Sequence, residues 1–194
     1  MIRSTLASLL CVAAMASAAP APRPAPKFVI HMKPSGNVTL AQYKGKVVVM
    51  AFIFTTCQHC QNSTVMLSGL QKEYGPKGLQ VVAAAFNPEA DTLVPDFIRQ
   101  YKPTFPVGFA TRNEVLAFLN HTPDFEMYVP IMVFIDRKGL IRYEHLGDDV
   151  FYADQEKNVR AHIEQLLGSP AEVKKAAPAV SKNEGSKVVI SVDK

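Results

Sequence analysis

Tryptophan is absent from this chain, and cysteine occurs only three times, as Cys11, Cys57 and Cys60. An exported fold stapled by disulfides carries several widely spaced cysteines. Here two of the three lie within one four-residue stretch, and a bridge closing so short a loop removes little unfolded-state entropy. The pair is therefore read as chemical, not as a stabilising staple. A structural zinc needs two further ligands at compatible spacing. No second C-x-x-C and no H-x3-H is present, and the five histidines are scattered at positions 31, 59, 121, 145 and 162. No basic run is long enough for a nucleic-acid surface, the net charge being only +4. Haem-attachment motifs and glycine-rich nucleotide loops are also missing. What remains is a chain of 194 residues, 48% apolar, enough for one core in one domain.

Both ends read as extensions. Residues 1–18 combine a positive start, a short apolar run and Ala16-Ser17-Ala18, the small-x-small pattern of a signal-peptidase site. Cleavage after Ala18 removes Cys11, leaves no membrane span and predicts an exported protein, periplasmic or secreted. Residues 19–27, APAPRPAPK, read as a proline-alternating extended linker. From residue 169 to 194 the alanine, lysine, proline and serine content predicts a flexible tail.

Between them, residues 28–168 alternate strands and helices. VVVMAFIF (47–54) is a continuous apolar, β-branched run, the pattern of a strand buried on both faces. Met66, Leu67, Leu70 and Tyr74 fall at helical spacing, and Gly75-Pro76 ends that helix. LQVVAAAF (79–86) is a second buried strand. A helix through 95–101 follows, with Pro95 in its first turn, where proline is tolerated. FPVGFA (105–110) reads as a short strand, and Thr111 with Glu114 forms a capping box for the next helix. PIMVFID (130–136) and LIRYEHL (140–146) read as a hairpin, and a final helix ends at Gly168. With a hairpin around 28–41 in front, this order predicts a three-layer α/β domain with a mixed sheet.

The stretch FIFTTCQHCQ (52–61) places a C-x-x-C at the junction of a buried strand and a helix. Unpaired backbone N–H groups and the positive end of the helix dipole favour a thiolate there. Such placement lowers cysteine pKa values. The second cysteine sits one turn in, able to resolve a mixed disulfide formed at the first. Cys57 is thus the expected nucleophile and Cys60 the resolving thiol.

The pattern strand-F-x-x-T-x-C-x-x-C-helix, preceded by LAQYKGKVVV (40–49), resembles the exported thioredoxin-like proteins of the TlpA/ResA type, within the group that includes AhpC/TSA. The resemblance extends over about residues 28–167, through VVAAAFNPEADTLVPDFIRQY and VPIMVFIDRKGLIRYEHLG. It implies a thioredoxin-like fold with an extra strand-helix insertion, and thiol–disulfide exchange on protein substrates outside the cytoplasm. The implied partners are protein thiols or disulfides and a thiol electron donor or acceptor. No cofactor beyond a Cys57–Cys60 disulfide is implied. Pro130 would be the cis-proline facing the pair, with Val129 presenting backbone to a substrate strand and Thr56 beside the same groove. Gln58 and His59, between the cysteines, would tune the redox poise.

Several positions depart from that pattern. Thr56 stands where the family commonly has tryptophan, and Ala51 and Ser63 stand where its members carry acids able to accept the second thiol's proton. His59 leans towards an oxidising centre while the family leans towards a reducing one, so the direction stays open. Two other readings compete. A peroxiredoxin-like thiol peroxidase, an antioxidant, would need Arg142 to approach the pair. A copper chaperone of the Sco type would need a distant histidine, His145 or His121, to join Cys57 and Cys60 around soft Cu(I).

Overall fold

The computed structural model describes residues 22–34 and 36–168. The expected signal segment 1–18 and tail 169–194 lie outside the described residues. Eight strands form one mixed sheet: β1 (Arg23–Pro24), β2 (Val29–His31), β3 (Asn37–Thr39), β4 (Val47–Ile53), β5 (Leu79–Ala85), β6 (Val107–Phe109), β7 (Ile131–Ile135) and β8 (Leu140–His145). Their order across the sheet is β1-β8-β7-β4-β5-β6-β2-β3. The helices are α1 (Gln58–Tyr74), α2 (Ala90–Tyr101), α3 (Arg112–Leu119) and α4 (Gln155–Leu167).

The side-chain alternation of β4 defines the layers. Val47, Val49, Ala51 and Ile53 join a core containing Leu67 and Leu70 of α1, Val94 and Phe97 of α2, and Val159 and Ile163 of α4. Val48, Met50 and Phe52 face the opposite way, towards Phe28, Ile30, and Val115 and Phe118 of α3. Successive strand residues point to opposite faces, so a run apolar at every position fills two cores at once. On the second face Phe28, Phe52 and Phe118 meet edge to face, with ring centroids 5.1–5.5 Å apart.

Local signals account for most element ends. Thr111 caps α3 and Glu114 returns a bond to the Thr111 N–H at 2.7 Å, the expected capping box. The hairpin turn is closed by Asp136, whose carboxylate accepts from the N–H groups of Lys138 at 2.8 Å and Leu140 at 3.0 Å, with Gly139 at φ 81°. The expected N-terminal hairpin is present as β2 and β3, joined to the sheet through a bridge from His31 to Phe109.

Two expectations need correction. The segment 19–27 is not a free spacer over its described part: Arg23 and Pro24 pair with Ile141 and Leu140 as an edge strand. Arg23 donates to the Phe118 and Leu119 carbonyls, each at 3.3 Å, and to Glu144 at 2.8 Å. Proline alternation supplies the extended backbone, and the arginine supplies the anchor. Helix α2 begins five residues earlier than its apolar pattern indicates, so Pro95 lies in its second turn. Its missing N–H leaves the carbonyl four residues back without that helical donor.

Under α4 lies a chain of polar groups. Asp149 bonds His145 Nδ1 at 2.8 Å, and His145 Nε2 meets His162 Nε2 at 3.0 Å. The His162 ring stacks on Tyr143 with centroids 3.8 Å apart. Burial, and then the charge of His145, push the His162 pKa down from 6.5 to about 4. A pKa depressed by folding means the unfolded chain takes the proton first, so stability is complete above about pH 6.5 and falls as pH drops towards 4. Chemical denaturation across pH 7.5 to about 4 will show this loss. His162→Gln, which keeps a donor towards His145 but cannot titrate there, will flatten it.

Candidate active site

Because β7 runs antiparallel to β4 with Ile131 opposite Phe52, the start of β7 and the end of β4 share one pole of the sheet. The chain leaving β4 is tied there to the end of the neighbouring β5. The Thr55 N–H and hydroxyl both donate to Asn87 Oδ1, at 2.9 and 3.3 Å, and Gln61 Nε2 donates to the Thr55 carbonyl at 3.0 Å. Thr55 and Asn87 are among the few buried polar residues, and each has its partner. This network fixes where α1 begins.

Cys57 is the N-cap of α1, with extended backbone at φ −84° and ψ 121°. Its Sγ accepts from the Cys60 N–H at 3.4 Å, the role a serine or aspartate oxygen plays at other helix starts. Both thiols are free; Cys57 is partly exposed and Cys60 fully buried. Burial first, then the hydrogen bond and charge of Cys57, push the Cys60 thiol far above its ordinary range, with the Phe54 backbone pulling the other way. No carboxylate offsets this. The Ala51 side chain is packed in the core, and the Ser63 hydroxyl donates to the His59 carbonyl at 2.8 Å while accepting from Gln155 at 2.6 Å.

The Val129–Pro130 peptide is cis, as the resemblance implies, and the Val129 carbonyl lies 4.0 Å from Cys57 Sγ. Thr56, Cys57, Val129 and Pro130 thus come together at this pole. Gln58 and His59 are exposed. Gln58 bonds Asn62 at 3.0 Å, and among the described residues His59 makes no hydrogen bond to Cys57. The donor to the Cys57 sulfur is the backbone N–H of Cys60, not the His59 imidazole.

Sequence reasoning did not single out the residues that hold the Val129–Pro130 loop. The Tyr152 phenol bridges the carbonyls of Pro130, at 2.6 Å, and His145, at 3.1 Å. Burial, and then the charge of Cys60, push its ionisation well up, so it stays a neutral donor. Gly147 donates to the Tyr128 carbonyl at 2.8 Å and packs so closely that a Cβ there would fall 2.7 Å from the Tyr128 and Val129 backbone. Neither residue lies in a periodic pattern, and both act on a loop about twenty residues upstream in sequence.

The groups needed by the competing readings are elsewhere. Arg142 pairs with Asp136 at 3.2 Å, at the end of β7 opposite Pro130, and does not approach the cysteines. His145 has both ring nitrogens engaged, by Asp149 and His162, and His121 faces Glu144 at 3.6 Å and stacks on Phe125. Among the described residues no three His, Cys, Asp or Glu side chains are grouped to hold a metal. Cys57, Cys60 and His145 are therefore not brought together as one ligand set.

Comparison with known proteins agrees with this geometry. The thiol–disulfide oxidoreductase ResA of Bacillus thuringiensis subsp. konkukian is 28% identical over 124 residues, 64% of this chain and 68% of that protein. The thioredoxin-like protein YneN of Bacillus subtilis is 31% identical over 125 residues, 63% of this chain and 69% of its own. In structure, a thioredoxin-family thiol:disulfide interchange protein from Chlorobium tepidum superposes with a TM-score of 0.64 at 22% identity, covering 77% of this chain and 99% of that one. The Redoxin family model matches residues 20–163, so the chain belongs to the Redoxin family, as a thioredoxin-like oxidoreductase of the ResA-related kind.

Proposed function

We propose that the protein exchanges thiols and disulfides with protein substrates outside the cytoplasm, Cys57 attacking and Cys60 resolving. The observation that carries this reading is the asymmetry of the pair: a partly exposed sulfur capping a helix N-terminus, and a fully buried one a turn further in. In the reducing direction the Cys57 thiolate attacks one sulfur of a substrate disulfide. The S–S bond breaks, and the departing sulfur leaves as a thiolate that takes up a proton. Cys60 then loses its proton and attacks Cys57 in the mixed disulfide, releasing the second substrate thiol. The substrate gains two electrons and the Cys57–Cys60 pair loses them. The oxidising direction is the same sequence reversed. An extended substrate segment would lie along Val129, using backbone hydrogen bonds as in strand addition. Export of the chain is supported by the short apolar run and the small-x-small site at residues 16–18. No helix among the described residues is long and apolar enough to cross a membrane.

The test is trapping. Cys57→Ser will abolish disulfide reduction of a protein such as insulin, and Cys60→Ser will accumulate a mixed disulfide with substrate that dithiothreitol releases. Mixed disulfides accumulating on Cys60 instead would reverse the assignment.

The pH dependence follows from Cys60. Its thiol is held far above the ordinary value of 9.0, so the resolving thiolate is scarce near neutrality. Resolution of the mixed disulfide, followed in single-turnover experiments, will speed up about tenfold per pH unit through the neutral range.

Gly147 tests the loop. Gly147→Ala forces a Cβ against the Val129 backbone and will lower kcat/KM for protein substrates by about tenfold or more. Alkylation of Cys57 by iodoacetamide, which needs no groove, will keep its rate.

A further inference from the structure

One cavity with mostly apolar walls stands apart from the cysteines. It lies at the opposite pole, where β4 begins and β7 ends, about 20 Å away along the seven residues of β4. Its volume is about 470 Å³. That is within the range of small-molecule sites, roughly 300 to 1,000 Å³. The walls are mostly carbon: Phe28 and Val29 from the N-terminal segment, Leu40 and Tyr43 from the 3-10 turn Leu40–Tyr43, and Val48 and Ile135 from the sheet. Ala25 and Pro26 close one side, so the docking of the proline-rich segment as β1 creates this wall.

The rim has one sign of charge. Lys27, Lys44, Lys46 and Lys138 are exposed around it, and Arg137 stands beside them. Among the described residues these four lysines enter no ion pair, and Arg137 donates only to the Lys77 carbonyl at 3.3 Å. The one acid on the lining, Asp136, is already engaged by the N–H groups of Lys138 and Leu140 and by Arg142. It does not neutralise the rim. Clefts with low-dielectric walls and charge of one sign concentrate ligands of the opposite sign. The chain's own residues 169–194 are a poor match, with five lysines against three acids.

We infer that this cleft binds a single-chain anionic amphiphile, its acyl chain lying against Phe28, Leu40 and Ile135 and its carboxylate or phosphate head meeting the lysines. The inference is independent of the redox reading, because none of these residues touches the cysteine pole. The carbon walls favour the chain, and the lysines select the sign of the head.

The test is isothermal titration calorimetry of the full chain with laurate below its micellar concentration. Dodecyltrimethylammonium serves as the chain with the opposite head. Laurate will bind one to one, and the cationic analogue at least tenfold more weakly. The double variant Lys44→Glu, Lys46→Glu, at exposed positions that leave the core intact, will lose tenfold or more in laurate affinity while keeping disulfide-reductase activity. Its circular dichroism will confirm the fold. Absence of laurate binding, equal binding of both head charges, or unchanged affinity in the double variant would overturn the inference. Binding to phosphatidylglycerol vesicles with none to dispersed laurate would also overturn it, in favour of a membrane-surface contact. A Cys57→Ser, Cys60→Ser protein will bind laurate unchanged, which separates this result from the fate of the proposed chemistry.

Discussion

The antiparallel register of β4 against β7 is the constraint on which the site depends. Ile131 opposite Phe52 and Ile135 opposite Val48 leave Pro130 beside the end of β4, where the chain turns into Cys57 and α1. A slip of one residue would exchange Val49 and Ala51 with Val48 and Met50 between two cores of different shape, since alternate positions face opposite sides. Both faces of both strands are filled, so neither core can tolerate the exchange. The 4.0 Å contact between Cys57 Sγ and the Val129 carbonyl is thus set by the packing of two strands that are buried at every position. Catalytic placement here is a product of core packing.

Legibility in the sequence followed the range of the interactions. Strand β4 was readable because every residue in it is apolar, β5 because all but Gln80 are, and α3 because its capping box is written within four residues. The cysteine pair was readable as a helix start for the same reason: a strand-to-helix junction is a local event. The start of α2 was not readable, because its first turn carries Asp91 and Thr92 instead of an apolar stripe and is held by Glu89 and Asn87 carbonyls. Nor was β1, whose two residues gain their strand conformation from β8, more than a hundred positions away. Tyr152, Gly147 and Asn87 were missed on the same grounds. Each acts through contacts with residues distant in sequence, and a single residue has no periodicity to betray it.

The position of His59 shows what a local signal leaves open. Its place between the cysteines invites an imidazole–sulfur bond, yet helical geometry turns residues of the first turn outward unless they face the sheet. Cys60 faces the sheet, and His59 and Gln58 face solvent. What the sulfur of Cys57 receives is the backbone N–H of Cys60, a donor present at every helix start of this kind.

The missing carboxylate has a physical consequence for the division of labour between the thiols. A buried acid beside the second cysteine would share its desolvation and accept its proton. In this chain that volume is occupied by Ala51 within the core and by a Ser63 hydroxyl already committed to His59 and Gln155. The Tyr152 phenol, whose ionisation Cys60 helps to suppress, is neutral and turned towards two carbonyls, and the Thr64 hydroxyl donates to the Cys60 carbonyl. Cys60 thus remains a thiol across the physiological range, whereas the Cys57 sulfur sits against a helix N-terminus with no such burial. In the proposed exchange the first step needs only the partly exposed sulfur of Cys57. The second would require a proton to leave a dry interior, so the burial of Cys60 slows the step that completes the proposed exchange.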